Sequence, residues 1–97
     1  MVVEYLRYRI ASDKTEQFIK DYRAASRELM SSPFALSFDM CQCSEDTEQF
    51  ILRIEWTSAE DHLERFRGSD AFKAFFTHVR AYVGCIEEMR HYKRLPI

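Results

Sequence analysis

Ninety-seven residues, 46% hydrophobic and 14% aromatic, make one domain (residues 1–97) with little core to spare, because a chain of this size buries only roughly 60–65% of the surface it exposes when unfolded. Fourteen basic and sixteen acidic residues give a net charge of -2 with the two signs interspersed, which excludes a basic nucleic-acid face and a polybasic membrane surface. No stretch has the character of a signal peptide or a membrane span, so a cytoplasmic location is expected.

Val2 to Ile10 is rich in β-branched and aromatic residues. Leu6, Tyr8 and Ile10 fall on one face and Tyr5, Arg7 and Arg9 on the other, the pattern of a first strand. Ser12 or Asp13 can cap a helix, with Glu16 three residues after Asp13 as in a capping box. Phe18, Tyr22, Ala25 and Leu29 then recur at helical spacing, so an amphipathic helix runs to about Met30. Pro33 forces the chain out of helical geometry, and Phe34 to Cys43 reads as a second strand.

The polar run from Ser44 to Glu48 is a turn. After it Phe50, Leu52, Ile54 and Trp56 alternate with Ile51, Arg53 and Glu55, the clearest strand pattern in the chain, and the two strands form a hairpin. Ser58 caps a short helical segment with Leu63 and Phe66 on its apolar side. Gly68 interrupts it and Ser69 starts a second segment, whose Phe72, Phe75, Phe76, Val79, Tyr82 and Val83 make an apolar stripe. Gly84 ends the helical region, and Ile86 to Lys93 is a last strand.

This βαββαβ order specifies an α+β, ferredoxin-like fold, a four-stranded antiparallel sheet with its helices on one face. The other face would carry Tyr5, Ile51, Arg53 and Glu55, a mixture suited to a second sheet packing against it. Three cysteines cannot form a full disulfide framework. Cys41 and Cys43 lie on one face of a strand, poorly placed to bond each other, and no second ligand pair accompanies them, so reduced thiols and no metal are expected.

The segment Trp56, Thr57, Ser58, Ala59, Glu60 and Asp61, followed by Ser69, Asp70, Ala71 and Phe72 with Phe75 and Phe76, resembles the antibiotic biosynthesis monooxygenase family of the dimeric α+β barrel superfamily. The resemblance covers essentially the whole chain. It implies a homodimer whose sheets face each other and a pocket in each subunit between sheet and helices. It also implies oxidation of a small aromatic quinol- or anthrone-like molecule by molecular oxygen with no cofactor, a chemistry that needs a base or polar stabiliser in an apolar cavity. The same superfamily holds isomerases and heme-degrading enzymes, so the fold alone does not name the reaction.

Trp56 and His62 are the candidate catalytic residues on that resemblance, and Tyr8, Leu52, Phe66 and Phe76 the candidate substrate contacts. His62 offers an imidazole whose ordinary pKa is near working pH. Each has a plainer reading: Trp56 as a core ring, His62 as a helix residue facing solvent, Tyr8 as a packed ring, and the Phe stripe as core. Family members often carry a His or Trp where Phe66 stands. The heme-degrading triad would fall on Leu6 or Arg7, Phe66 and Phe76, where none of its Asn, Trp and His is present, which argues against heme degradation. The alternative function is a non-catalytic dimer that binds an apolar small molecule. His91 is left between the pocket edge and the interface, and Arg53 is assigned to the dimer side.

Overall fold

The computed structural model describes residues 1–97. Strands β1 (Val2–Arg9), β2 (Ala35–Gln42), β3 (Gln49–Trp56) and β4 (Ile86–Lys93) form one antiparallel sheet in the order β2-β3-β1-β4. Helices α1 (Thr15–Met30) and α2 (Asp70–Val79) pack on one face of it. This is the ferredoxin-like arrangement expected from the element order.

Side-chain alternation decides which residues make the core. Leu6 and Tyr8 from β1, Ile10 just beyond its end, and Phe50, Leu52, Ile54 and Trp56 from β3 belong to the core and are almost fully buried. Phe18, Tyr22, Ala25 and Leu29 of α1 and Phe75 and Val79 of α2 close over them. Phe18 sits at the centre, its ring 4.9 to 5.1 Å from those of Phe50, Tyr82, Tyr8 and Tyr22, within the range of favourable tilted and edge-on aromatic packing.

Several expected boundaries shift for identifiable reasons. Helix α1 is not capped by Ser12 or Asp13. A turn of 3-10 helix (Ser12–Lys14) precedes it without a side-chain cap, and the Ser12 hydroxyl instead donates to the Glu48 carboxylate at 3.0 Å. The second helical region ends in α2 at Val79, and a 3-10 stretch (Arg80–Cys85) that includes Gly84 carries the chain to β4. The two serine caps behave as expected: Asp61 N–H donates to Ser58 Oγ at 2.9 Å and Phe72 N–H to Ser69 Oγ at 3.2 Å. Between them Asp61–Phe66 is a π-helical turn, closed by Arg67 N–H to the His62 carbonyl at 3.2 Å. Such wide turns are found preferentially at functional sites.

The sheet's other face is uncovered. Tyr5, Ile51, Arg53 and Glu55 lie there, as the alternation requires, with Tyr92 against Tyr5. Arg53 and Arg94 both pair with Glu55, and Arg53 also with Asp39, so these four charges balance within the chain. Ile51 remains 44% exposed, and Arg7 Nε is buried with no hydrogen-bond partner. All three cysteines are free thiols, and no helix is long and apolar enough to cross a membrane.

Candidate functional site

A cavity of about 230 Å³ lies between the sheet and the helices, and fifteen of the eighteen residues lining it are hydrophobic. All six residues singled out in the sequence reach it: Tyr8 and Leu52 from the sheet floor, Trp56 at the end of β3, His62 and Phe66 from the π-helical turn, and Phe76 from α2. Phe76, Val83 and Met89 are 37 to 49% exposed and, with exposed Arg67, form the mouth.

The polar groups are confined to one wall. Glu4 shares the inward face of β1 with Leu6 and Tyr8 and is only 2% exposed. Strand pairing puts it beside His91 of β4 and brings Trp56 close enough for its indole N–H to donate to Glu4 Oε1 at 3.0 Å. His62 stacks on the Trp56 ring with centroids 4.2 Å apart and planes 10° from parallel. Its Nε2 lies 3.7 Å from Glu4 Oε1, too long for a hydrogen bond. Its Nδ1 and His91 Nε2 are 2.8 Å apart, a hydrogen bond whose donor depends on the tautomers.

Burial shapes the proton affinities of this wall. It raises the Glu4 carboxyl from 4.5 to about 7, against the opposing Trp56 N–H and the Arg67 charge. It lowers His62 from 6.5 to about 3, helped by Arg67 and His91, and lowers His91 as well. The expectation that His62 keeps an ordinary imidazole pKa is therefore corrected: its ring is buried and neutral, and the group that titrates near neutrality is Glu4. Tyr8 is pushed up to about 12, chiefly by burial, and its hydroxyl bonds that of Tyr22, so it is a neutral phenol held in the core rather than one free to meet a substrate.

Glu4, His62 and His91 each bring a potential ligand atom within 4.8 Å of the others, so the grouping of a carboxylate with two imidazoles arises far from the cysteines on which the metal question turned in the sequence. Here the imidazoles are hydrogen-bonded directly to each other, and Arg67 adds a positive charge that acts on all three groups. The arrangement is that of a hydrogen-bonded chain, with a resident cation that opposes a second one.

The sequence missed Glu4 and Arg67. A signal for Glu4 was present: it has the same parity as Leu6, Tyr8 and Ile10, a lone carboxylate on an otherwise apolar strand face. His91, left open between pocket edge and interface, is on the pocket side through its bond to His62. Arg53 points away from the cavity, as assigned.

Comparison with known proteins agrees with the fold. The chain is 24% identical over 93 residues to the uncharacterized protein YczJ of Bacillus subtilis (strain 168), covering 96% of this chain and 98% of that one. Among solved structures it resembles an antibiotic biosynthesis monooxygenase with a TM-score of 0.79 at 15% identity, over 99% of this chain and 100% of that one. Rv0793 from Mycobacterium tuberculosis is similar at a TM-score of 0.77 and 13% identity, over 99% and 96% of the two chains. These distant likenesses establish the fold. The family model for antibiotic biosynthesis monooxygenases matches residues 1–78, most of the chain, and the protein belongs to that family.

Proposed function

We propose that the protein is a monooxygenase that oxidises a small acidic aromatic compound, quinol- or anthrone-like, with molecular oxygen and no cofactor, and that it works as a homodimer in the cytoplasm. The observation that carries this reading is the cavity itself: an apolar chamber walled by aromatic rings, with its hydrogen-bonding groups gathered on one side around Trp56 and His62. Substrate-derived electrons suit such a site. Loss of a proton from an activated methylene leaves a carbanion able to reduce oxygen. The overall change, methylene plus O2 to carbonyl plus water, then balances with no outside reductant. Excluding water protects the carbanion from being reprotonated.

The cavity's size favours a one- or two-ring compound, since about 230 Å³ is below the roughly 300–1,000 Å³ typical of sites for drug-sized ligands. Leu52, Phe66 and Phe76 would hold the flat molecule, with Tyr8 as a closed wall. The exposed apolar strip at Ile51 and the orphaned Arg7 Nε on the bare sheet face support a second copy covering that face.

One observation favours the alternative of a non-catalytic binding dimer: Phe66 and Phe76 stand where reactive relatives carry His or Trp. Oxygen uptake by purified protein, offered a panel of naphthoquinols, catechols and anthrones, separates the two. Uptake with one compound, lost in a Trp56 or His62 variant, supports the oxygenase. Ligand binding without uptake from folded dimer rejects it.

A further inference from the structure

We propose that Glu4 is the catalytic group that takes the substrate's proton; this rests on the oxygenase reading above only for the kind of compound bound. Four titratable groups besides it line the cavity, Tyr8, Tyr22, His62 and Arg67, and His91 stands behind His62. His62 has one face covered by Trp56 and its Nδ1 bonded to His91; its Nε2 makes no hydrogen bond, but burial lowers the ring to about 3, too weak a base to take the proton. His91 spends its Nε2 on that same bond. Tyr8 is tied to Tyr22, and Arg67 is a cation with nothing to accept a proton.

Glu4 differs from all of these. It is the one carboxylate lining the cavity. Trp56 fixes its Oε1, whereas Oε2 makes no hydrogen bond and is not among the side-chain atoms sealed off without a partner. That oxygen is an unengaged acceptor on a residue that lines the cavity. Burial makes the carboxylate a far stronger base than an exposed one, bringing it to about 7, close to the value at which a general base works best at neutral pH.

The step is a single proton transfer. The acidic C–H or O–H bond of the substrate breaks, an O–H bond forms on Oε2, and the electron pair stays on the substrate as a carbanion or phenolate. Arg67, which makes no ion pair with any carboxylate of the chain and borders the mouth of the same cavity, faces the developing negative charge. His62 acts through Glu4 as a positioning residue, holding the Trp56 ring that holds Oε1.

The test separates the proton step from the oxygen step. 2-Tetralone, a two-ring carbon acid that suits the cavity's size, is incubated anaerobically in D2O with the protein, and exchange of the acidic C–H is followed by NMR. The wild-type chain should accelerate exchange, and Glu4→Gln should lower that acceleration by about 100-fold or more, the scale of a lost general base. Quenching of fluorescence from Trp56, the chain's one tryptophan, should show that the variant still binds the compound.

Exchange at the wild-type rate in Glu4→Gln, or no wild-type acceleration over buffer, overturns the assignment. Exchange without oxygen uptake would keep Glu4 as the base and reject the oxygenase. Uptake undiminished in Glu4→Gln would do the reverse. If that variant does not fold, Glu4→Asp carries the test, because it withdraws the carboxylate by one methylene. Its exchange must fall while its circular dichroism stays native, and a wild-type rate there overturns the proposal.

Discussion

The rings of Trp56 and His62 lie face to face, 4.2 Å apart and 10° from parallel, while the Trp56 N–H holds Glu4 at 3.0 Å. One indole therefore fixes the orientation of two titratable groups that come from different elements. Its apolar body provides the stacking surface and its polar edge provides the hydrogen bond, a division of labour for which tryptophan is suited.

Trp56→Phe should separate these two roles. Phenylalanine can still stack on His62 but cannot donate to Glu4, whose pKa the Trp56 N–H pulls down. Without that donor the carboxyl should titrate higher, so the acid limb of the activity profile should move to higher pH while binding of an aromatic ligand persists. A limb that stays in place in a kcat/KM–pH profile would show that Glu4 does not set it.

His62→Ala should reduce turnover by about 10- to 100-fold, as expected when a group that orients a catalytic residue is lost. The ring is 4% exposed and occupies a packed site, so the variant should also lose stability. The readout that excludes a merely structural effect is the split between kinetic constants, with kcat falling and KM little changed. A variant with wild-type kcat would remove His62 from the site.

How much of this was legible in advance follows from the range of the forces involved. The alternation in β3 and the caps at Ser58 and Ser69 depend on side-chain parity and on donors three residues away, so they could be read locally. The α1 start could not, because the partner that diverts Ser12 is Glu48, 36 residues along the chain. For Glu4 only its parity with Leu6 and Tyr8 gave a local sign, and the partners that hold it were hidden for the same reason. Its neighbours His91 and Trp56 arrive through pairing of β1 with β4 and β3, and a glutamate viewed alone belongs at the surface. The π-helical turn that carries His62 arises from one added residue in a backbone bond, which no side-chain spacing announces.

Glu4 and His62 pull stability in opposite directions with pH. A carboxyl raised from 4.5 to about 7 holds its proton more tightly when folded, so its contribution is full below pH 4.5 and is lost as pH rises through 7. An imidazole lowered from 6.5 to about 3 contributes fully above pH 6.5 and loses that contribution as pH falls through 3. Between pH 4.5 and 6.5 these two slopes oppose each other in the wild-type chain, and His91, lowered as well, adds to the His62 side. Glu4→Gln removes the opposing slope, so urea unfolding should show its stability climbing across that window more steeply than the wild type's, by about 1 kcal/mol per pH unit. Parallel profiles for the two proteins would contradict the opposed shifts.

Leu52 tests the cavity floor. It is fully buried under the pocket, so Leu52→Ala should cost about 2–5 kcal/mol by lost burial and the void left behind. That is a large share of the roughly 5–15 kcal/mol expected for a whole domain. The enlarged cavity should nevertheless accept bulkier aromatic ligands, giving tighter quenching of Trp56 by a three-ring compound than in the wild type. A loss below about 1 kcal/mol in thermal unfolding would mean that the floor collapses to fill the space.

The bare sheet face gives the last test. Arg53 and Arg94 are balanced by Glu55 and Asp39 within the chain, so the attraction between two copies would come chiefly from the strip containing Ile51, Tyr5 and Tyr92. Ile51 is 44% exposed, at the centre of that strip beside the hollow bordered by Arg7 and Glu88. Ile51→Lys would put a second cation directly across from Arg7 on β1, and a desolvated like-charge pair at an interface costs several kcal/mol. Sedimentation equilibrium should find the wild-type chain a dimer at micromolar concentration and Ile51→Lys a folded monomer. A wild-type monomer, or a variant dimer of undiminished affinity, would place any contact between copies elsewhere on the molecule.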